Sequence, residues 1–182
     1  MKPVTLRTKR LLLDQPTLVD VDVVTEYCQD PVFEQFMLTP WPYQRHNAEV
    51  FLGTVVPSGW EDDTEYTWAL RREGELLGLI GYRTRSSDLG FWLGAPHRGQ
   101  GLMPEALAAV ADFAFEQAGR AILWECVPGN VASASVARSS GFTWLGEGPS
   151  LYPDRRGQKF VAWQARLSPT DSREPKPGWP AL

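Results

Sequence analysis

Cysteine and histidine are scarce in this 182-residue chain, with two of each. Cys28 and Cys126 stand far apart, with no Cys-x-x-Cys or Cys/His grouping. The chain therefore carries the spacing of neither a zinc site nor a disulfide framework, and a reducing compartment fits. Positive charge is short as well: 18 Lys and Arg face 22 Asp and Glu, a net charge of −4. Such a surface does not as a whole attract nucleic acid or an anionic membrane, so any phosphate site must be local. No apolar run approaches membrane-spanning length. Lys2, Arg7, Lys9 and Arg10 precede only Leu11 to Leu13 before Asp14, too short for the apolar centre of a signal peptide. These absences predict a cytoplasmic chain without a metal.

What is present is ordinary for a folded protein, with 43% hydrophobic and 22% charged residues. The length suits one domain with a substantial core, expected over residues 1–167. From Ser168 onward, Pro169, Pro175, Pro177 and Pro180 among mixed charges predict a flexible tail over residues 168–182. Eight tryptophans are many for this size. Aromatic side chains dominate buried area, which makes core packing the default; the alternative assigns Trp41, Trp60 and Trp68 to a cleft that excludes water.

Strand character over Val4–Leu13 gives way near Pro16 to a helical pattern over Val19–Gln29, with Asp20 and Asp22 in its first turn, where the macrodipole favours acids. Asp30-Pro31 breaks it. A short helix over Val32–Met37, a loop over Pro40–Pro42 and a helix over Asn47–Val56 ended by Pro57-Ser58-Gly59 would form a wall over a sheet. Tyr66–Arg71 and Leu76–Arg83 predict a hairpin turning at Glu73-Gly74-Glu75, followed by a strand over Leu89–Leu93. Met103–Gln117 predicts a helix with Met103, Leu107, Val110, Ala111 and Ala114 on one face and Gly119 at its end. Ala121–Val127 is apolar on both faces and so central in the sheet. Asn130 caps a helix closing at Gly141, and Phe142–Glu147 and Lys159–Leu167 supply two last strands.

The most informative stretch runs from Leu89 to Glu105: an apolar strand, a glycine-containing loop, then a helix. Backbone N–H groups of such a loop and the first unpaired amides of the helix converge on an anion, and glycine lets the chain approach without a Cβ. Arg98 adds charge. Pro104 occupies the third position of a Gly-x-Gly-x-x-Gly fingerprint and no Gly-Lys-Ser/Thr follows, so neither a dinucleotide fingerprint nor a nucleoside-triphosphate loop is met.

What is left, Arg98-x-x-Gly101-x-Met103, resembles the Arg/Gln-x-x-Gly-x-Gly/Ala loop of the GNAT superfamily of N-acetyltransferases. The resemblance spans roughly residues 5 to 167. Leu6-Arg7-Thr8-Lys9-Arg10-Leu11-Leu12-Leu13 is similar to the opening of the RimJ/RimL-like ribosomal-protein branch. Pro40-Trp41-Pro42-Tyr43 followed by Ala48-Glu49-Val50-Phe51-Leu52 is similar to its acceptor-side loop and helix, and Asn130-Val-Ala-Ser133 with Ser140-Gly141-Phe142 to its second cofactor element. The resemblance implies a mixed α/β GNAT fold: a mostly antiparallel twisted sheet of about six to seven strands with a splayed parallel pair and helices on both faces. It implies acetyl-CoA as cosubstrate and transfer of acetyl to a primary amine, either a protein N-terminal α-amine or a small amine. A homodimer stays open.

Carried over residue by residue, the resemblance puts the splayed strand at Phe91, Trp92 and Leu93. The diphosphate loop falls at Arg98, Gly99, Gln100, Gly101, Leu102 and Met103, where Met103 stands in place of the usual Gly or Ala. Asn130 falls on the pantetheine arm and Ser133 near the sulfur; each also fits a plain helix start, Asn being a common N-cap. Strand alternation puts Glu125 with Leu123 and Val127, a poorly hydrated position that suits a carboxylate to accept a proton. Its place five residues before Asn130 matches the family's proton-accepting Glu, while a structural carboxylate is the alternative. The family's proton-donating Tyr is replaced by Ala137, so Ser133, Tyr152 or no dedicated acid takes that role. Cys126 reads as a buried thiol. His97 reads as lining the phosphate rim or solvent, His46 as near the acceptor helix, and Arg138 as a solvated helix-end residue. Glu61, Asp62, Asp63 and Glu65 form an acidic run beside the expected cleft. The rival from another class is a non-catalytic acyl-CoA-binding or regulatory module, since fold alone does not decide function.

Overall fold

Thr8 hydroxyl accepts from Leu11 N–H at 3.0 Å, and Thr8 N–H donates to the Leu11 carbonyl at 2.9 Å. These local bonds compete with extension, so the strand expected over Val4–Leu13 is instead a short hairpin, β1 (Leu6–Arg7) and β2 (Leu12–Asp14). In this computed structural model, which describes residues 1–181, six further strands follow: β3 (Glu65–Arg72), β4 (Glu75–Arg83), β5 (Asp88–Leu93), β6 (Ile122–Cys126), β7 (Thr143–Pro149) and β8 (Val161–Leu167). They form one eight-stranded sheet in the order β1-β2-β3-β4-β5-β6-β8-β7. Every neighbouring pair is antiparallel except β5 and β6, which run parallel.

Helices cover both faces. Leu102, Ala106, Leu107, Val110 and Ala111 of α5 (Leu102–Ala118), with Ala134 and Ala137 of α6 (Val131–Ser139), share a buried cluster with Trp68, Ile80, Leu89 and Trp124. On the opposite face, Val21, Val24 and Cys28 of α1 (Val21–Cys28), Phe33 of α2 (Pro31–Phe36) and Ala48 of α3 (Arg45–Val50) pack on Ala69 and Leu79. Trp68 and Ala69 fall into different clusters because successive strand residues point to opposite faces. Trp60 and Trp68 are 1% and 0% exposed in the first cluster, so they are core residues.

Pro57 does not end its helix as expected. After α3 comes one wide turn over Phe51–Val55, in which Val56 N–H reaches back to the Phe51 carbonyl, and α4 (Val56–Glu61) then begins with Pro57 in its first turn. A proline there forfeits no helical hydrogen bond. The segment after β8, expected as a flexible tail, lies against the α5–α6 face. Arg173 bonds Asp112 at 2.6 Å, Lys176 bonds Thr143 Oγ1 at 2.9 Å, and Trp179 donates to the Phe142 carbonyl at 3.3 Å. No helix among the described residues is long and apolar enough to cross a membrane.

Candidate functional site

The parallel pair holds only at its start. Asp88 pairs with Leu123 and Leu89 with Trp124, and beyond that the strands part. Gly94 N–H donates to the Leu77 carbonyl at 2.9 Å. In the β4–β5 register this makes Leu79↔Trp92 a hydrogen-bonded pair, and Ile80↔Phe91 and Gly78↔Leu93 pairs whose main-chain groups point away from each other. Phe91 and Leu93 therefore turn their amides into the opening between β5 and β6. Trp92, grouped with them on sequence, spends its main-chain groups on β4; its ring packs edge-on against Tyr27 and Phe33 of the helical wall.

The strand leads through a 3-10 turn (Ala95–His97) into the glycine loop and α5. Gly99 and Gly101 have φ of +73° and +69°, a region costly to a residue with a Cβ. No side chain caps α5, and among the described residues nothing accepts from the amides of Gly99, Gln100, Gly101, Leu102 or Met103. Free amides at a helix start, aligned with the macrodipole, favour a phosphate. Met103 is 3% exposed: its side chain enters the core, leaving only its N–H at the loop. The departure from the family's Gly or Ala is thereby accommodated.

Arg10, read on sequence only as part of the opening strand, organises this loop. Its Nη1 donates to the Gln100 carbonyl at 2.9 Å and its Nη2 to the Gly101 carbonyl at 3.0 Å. A trans peptide sets each C=O opposite the next N–H. Pinning these carbonyls therefore aims the Gly101 and Leu102 amides outward from Arg10. Glu105 in turn holds Arg10, accepting from its main-chain N–H at 2.8 Å, from its Nε at 2.6 Å and from Thr8 Oγ1 at 2.5 Å. Burial would raise the Glu105 carboxyl, but these bonds outweigh it and hold it below the usual value. The partners lie ninety or more residues apart, and no local pattern announces them.

Arg98, expected to add charge at the phosphate, makes two contacts within the protein. Its Nε donates to the Leu93 carbonyl at 3.0 Å and its Nη1 pairs with Asp30 at 2.8 Å, tying the loop to the N-cap of α2. Gln100 folds its side chain back to the Pro96 carbonyl at 3.1 Å. His97 is 6% exposed, and its ring nitrogen lies 2.8 Å from the Tyr27 hydroxyl. It therefore fastens the helical wall and does not line a solvent rim.

Across the opening, Asn130 caps α6 by accepting from Ser133 N–H at 3.1 Å, which leaves the two N–H bonds of its side-chain amide without a described acceptor. Such a cap stabilises a helix by about 1 kcal/mol. Ser133 Oγ accepts from the Trp124 indole at 3.2 Å. Ala137 is fully buried, so no side chain there reaches the site. Cys126 is buried, and burial pushes its thiol up to about 12, with Glu125 adding in the same direction; its neutral sulfur is a core group. Glu125 is half-buried, with both carboxylate oxygens 2.8–2.9 Å from Leu151 N–H. Next along the chain, the Tyr152 hydroxyl donates to Asp88 at 2.8 Å and meets Ser86 at 2.7 Å, while its ring lies 4.9 Å from the Arg83 guanidinium. Burial raises the Tyr152 phenol, with the bond to Asp88 adding to it. Arg155 then reaches over to α2, donating to the carbonyls of Phe33, Glu34, Met37 and Thr39 at 2.7–2.8 Å. The segment Leu151–Arg155 thus links Glu125 to the helical wall.

Of the acidic run, Asp63 is tied to the chain's amino terminus and accepts from the Tyr66 hydroxyl at 3.0 Å. Glu65 lies over Gly81, where a Cβ would come within 2.6 Å of its carboxylate, 3.6 Å from Arg83. Burial raises the Glu65 carboxyl despite that arginine.

A strand that parts from its parallel neighbour and feeds a loop of free amides at a helix start offers an anion site continuous with open strand amides. The acetyltransferase (GNAT) domain family matches residues 10–143, and the chain belongs to that family. Among curated proteins it is similar to the ribosomal-protein-serine acetyltransferase of Escherichia coli, 32% identical over 78 residues, which is 39% of this chain and 43% of that protein. The match thus spans less than half of that relative. Its fold is similar to that of a GNAT-family acetyltransferase from Bacillus anthracis, with TM-score 0.76, 16% identity and coverage of 91% of this chain and 98% of the other. It is also similar to RimJ of Mycobacterium smegmatis in complex with CoA-disulfide, with TM-score 0.75, 17% identity and coverage of 93% and 90%.

Proposed function

We propose that this chain is an acetyl-CoA-dependent N-acetyltransferase acting by direct transfer to a primary amine, with a protein N-terminal α-amine as the favoured acceptor. The observation that carries the reading is the row of unpartnered amides over Gly99–Met103, aimed by Arg10 and continuous with the outward amides of Phe91 and Leu93. In this reading the loop grips the pyrophosphate of acetyl-CoA, and the free amide of Asn130 bonds the pantetheine arm. The Phe91 and Leu93 N–H groups receive the pantetheine and the thioester oxygen as charge develops on it.

The acceptor nitrogen attacks the thioester carbon, the C–N bond forms and the C–S bond breaks with its electron pair leaving on sulfur. The proton lost by the amine passes to Glu125, whose carboxylate Leu151 N–H holds in place. Ser133 hydrogen-bonds the departing sulfur. The acceptor class is supported by the named activity of the E. coli relative, a ribosomal-protein-serine acetyltransferase. Two buried free cysteines accord with a cytoplasmic setting.

The test is thiol release from acetyl-CoA across small amines and N-terminal peptides, run beside a thermal shift with CoA. Stabilisation by CoA with release on an N-terminal peptide is the expected result. Stabilisation with no release on any amine would make the chain a CoA-binding module, the reading that Ala137 in place of a tyrosine permits.

A further inference from the structure

The C-terminal segment reaches the site through two indoles. Trp124 on β6 is 1% exposed, and its Nε1–H donates to Ser133 Oγ at 3.2 Å. An indole nitrogen is a donor only, so this bond fixes the serine oxygen as its acceptor and leaves the serine O–H for another partner. No described residue receives that proton. From the tail, Trp179 packs its ring 5.7 Å from Trp124 and 5.1 Å from Trp144. Its seat is built: Lys176 joins Asp171 at 3.0 Å and Thr143 at 2.9 Å. At Gly141, with φ of +84°, a Cβ would lie 2.4 Å from the Ser172 carbonyl. The glycine that closes α6 thus also admits the tail.

We infer that Trp124 is a positioning residue for Ser133, and that the C-terminal segment, through Trp179, holds Trp124 in that role. The inference rests on the acetyl-transfer reading above. When the C–S bond breaks, the electron pair stays on sulfur and the amine's proton goes to Glu125. A thiol loses its proton near pH 8.5, about the ordinary cysteine value, and an alkoxide is a far stronger base than a thiolate. Ser133 therefore keeps its proton and stabilises the sulfur anion by hydrogen bonding. An indole N–H donating to the serine oxygen strengthens that O–H as a donor, because hydrogen bonds in a chain polarise one another. A merely packed tryptophan would not.

The experiment is a double-mutant cycle in the full chain, with Trp124→Phe, Ser133→Ala and both together. Each single change is expected to lower kcat by roughly tenfold with the KM for acetyl-CoA moving less than about twofold, and the double to lose no more than the worse single. Trp179→Ala is expected to lower kcat in the wild-type background and to do nothing further in Ser133→Ala. Should Trp124→Phe fail to fold, the Trp124 indole N–H resonance reads the bond directly: it moves upfield in both Ser133→Ala and Trp179→Ala. Additive losses in the double mutant, or an indole resonance indifferent to Ser133→Ala, would overturn the inference. Wild-type turnover is measured first. Its absence sinks the acetyl-transfer reading and this role together, whereas additivity in an active background sinks this role alone.

Discussion

Replacing Arg10 by lysine separates charge from geometry at the proposed pyrophosphate site. The guanidinium donates to the carbonyls of Gln100 and Gly101 while its Nε and main-chain N–H bond Glu105. Lysine keeps the charge but has no planar fork, so it cannot bond both carbonyls and Glu105 in this arrangement. The Arg10 side chain is 41% exposed, so each lost bond is discounted to about 0.5 kcal/mol for solvent screening. Two such bonds come to about 1 kcal/mol of loop organisation, which converts to roughly fivefold weaker CoA binding. Calorimetric titration of CoA into wild type and Arg10→Lys measures this at low and high salt. The ratio should persist at high salt, because the lost quantity is orientation of neutral amides; a long-range charge effect would be screened. If Arg10→Lys binds CoA like the wild type, the pinned carbonyls do not aim the amides and the reasoning fails.

Three further outcomes follow from the same geometry. Glu125→Gln keeps an oxygen for Leu151 N–H, so the melting temperature should hold while kcat falls by about a hundredfold; unchanged turnover and pH–rate profile would assign the proton to another group. Cys126→Ala should retain turnover, and intact mass under acetyl-CoA should show no acetylated protein, because burial keeps that thiol protonated. Glu105 is a carboxylate whose folded-state value is depressed. Its contribution to stability is complete above the unfolded value of about 4.3 and is lost as pH falls through the lower folded value. Denaturant unfolding should therefore show wild type more stable than Glu105→Gln near neutral pH, with the gap closing in acid; a gap constant with pH would count against the Arg10–Glu105 link.

Much of the frame is readable from local chemistry. The strand before the loop, the helix from Leu102 to Ala118, the ends at Gly119 and Gly141 and the cap at Asn130 each depend on residues a few positions apart. Met103 is legible too, since the apolar stripe on which the sequence places it with Leu107 and Val110 is the one that the core absorbs. What escapes is long-range side-chain traffic. Arg98 answers to Asp30, Arg10 to Gln100 and Gly101, and Arg155 to the end of α2, and an arginine's sequence neighbours do not say which distant carbonyl or carboxylate it meets. The tail misleads for a related reason: its prolines predict no helix or strand, but they do not prevent Trp179 from packing on Trp124 and Trp144. Pro57 shows the same limit within a helix, where one wide turn removes the conflict that a proline would otherwise create.

Titration of the amide-nitrogen-labelled chain with CoA, followed amide by amide, tests the central claim most directly. The account predicts that Gly99, Gln100, Gly101, Leu102 and Met103 shift together, with Phe91 and Leu93, at a single saturating concentration. Saturable CoA binding that leaves these amides unmoved would contradict it.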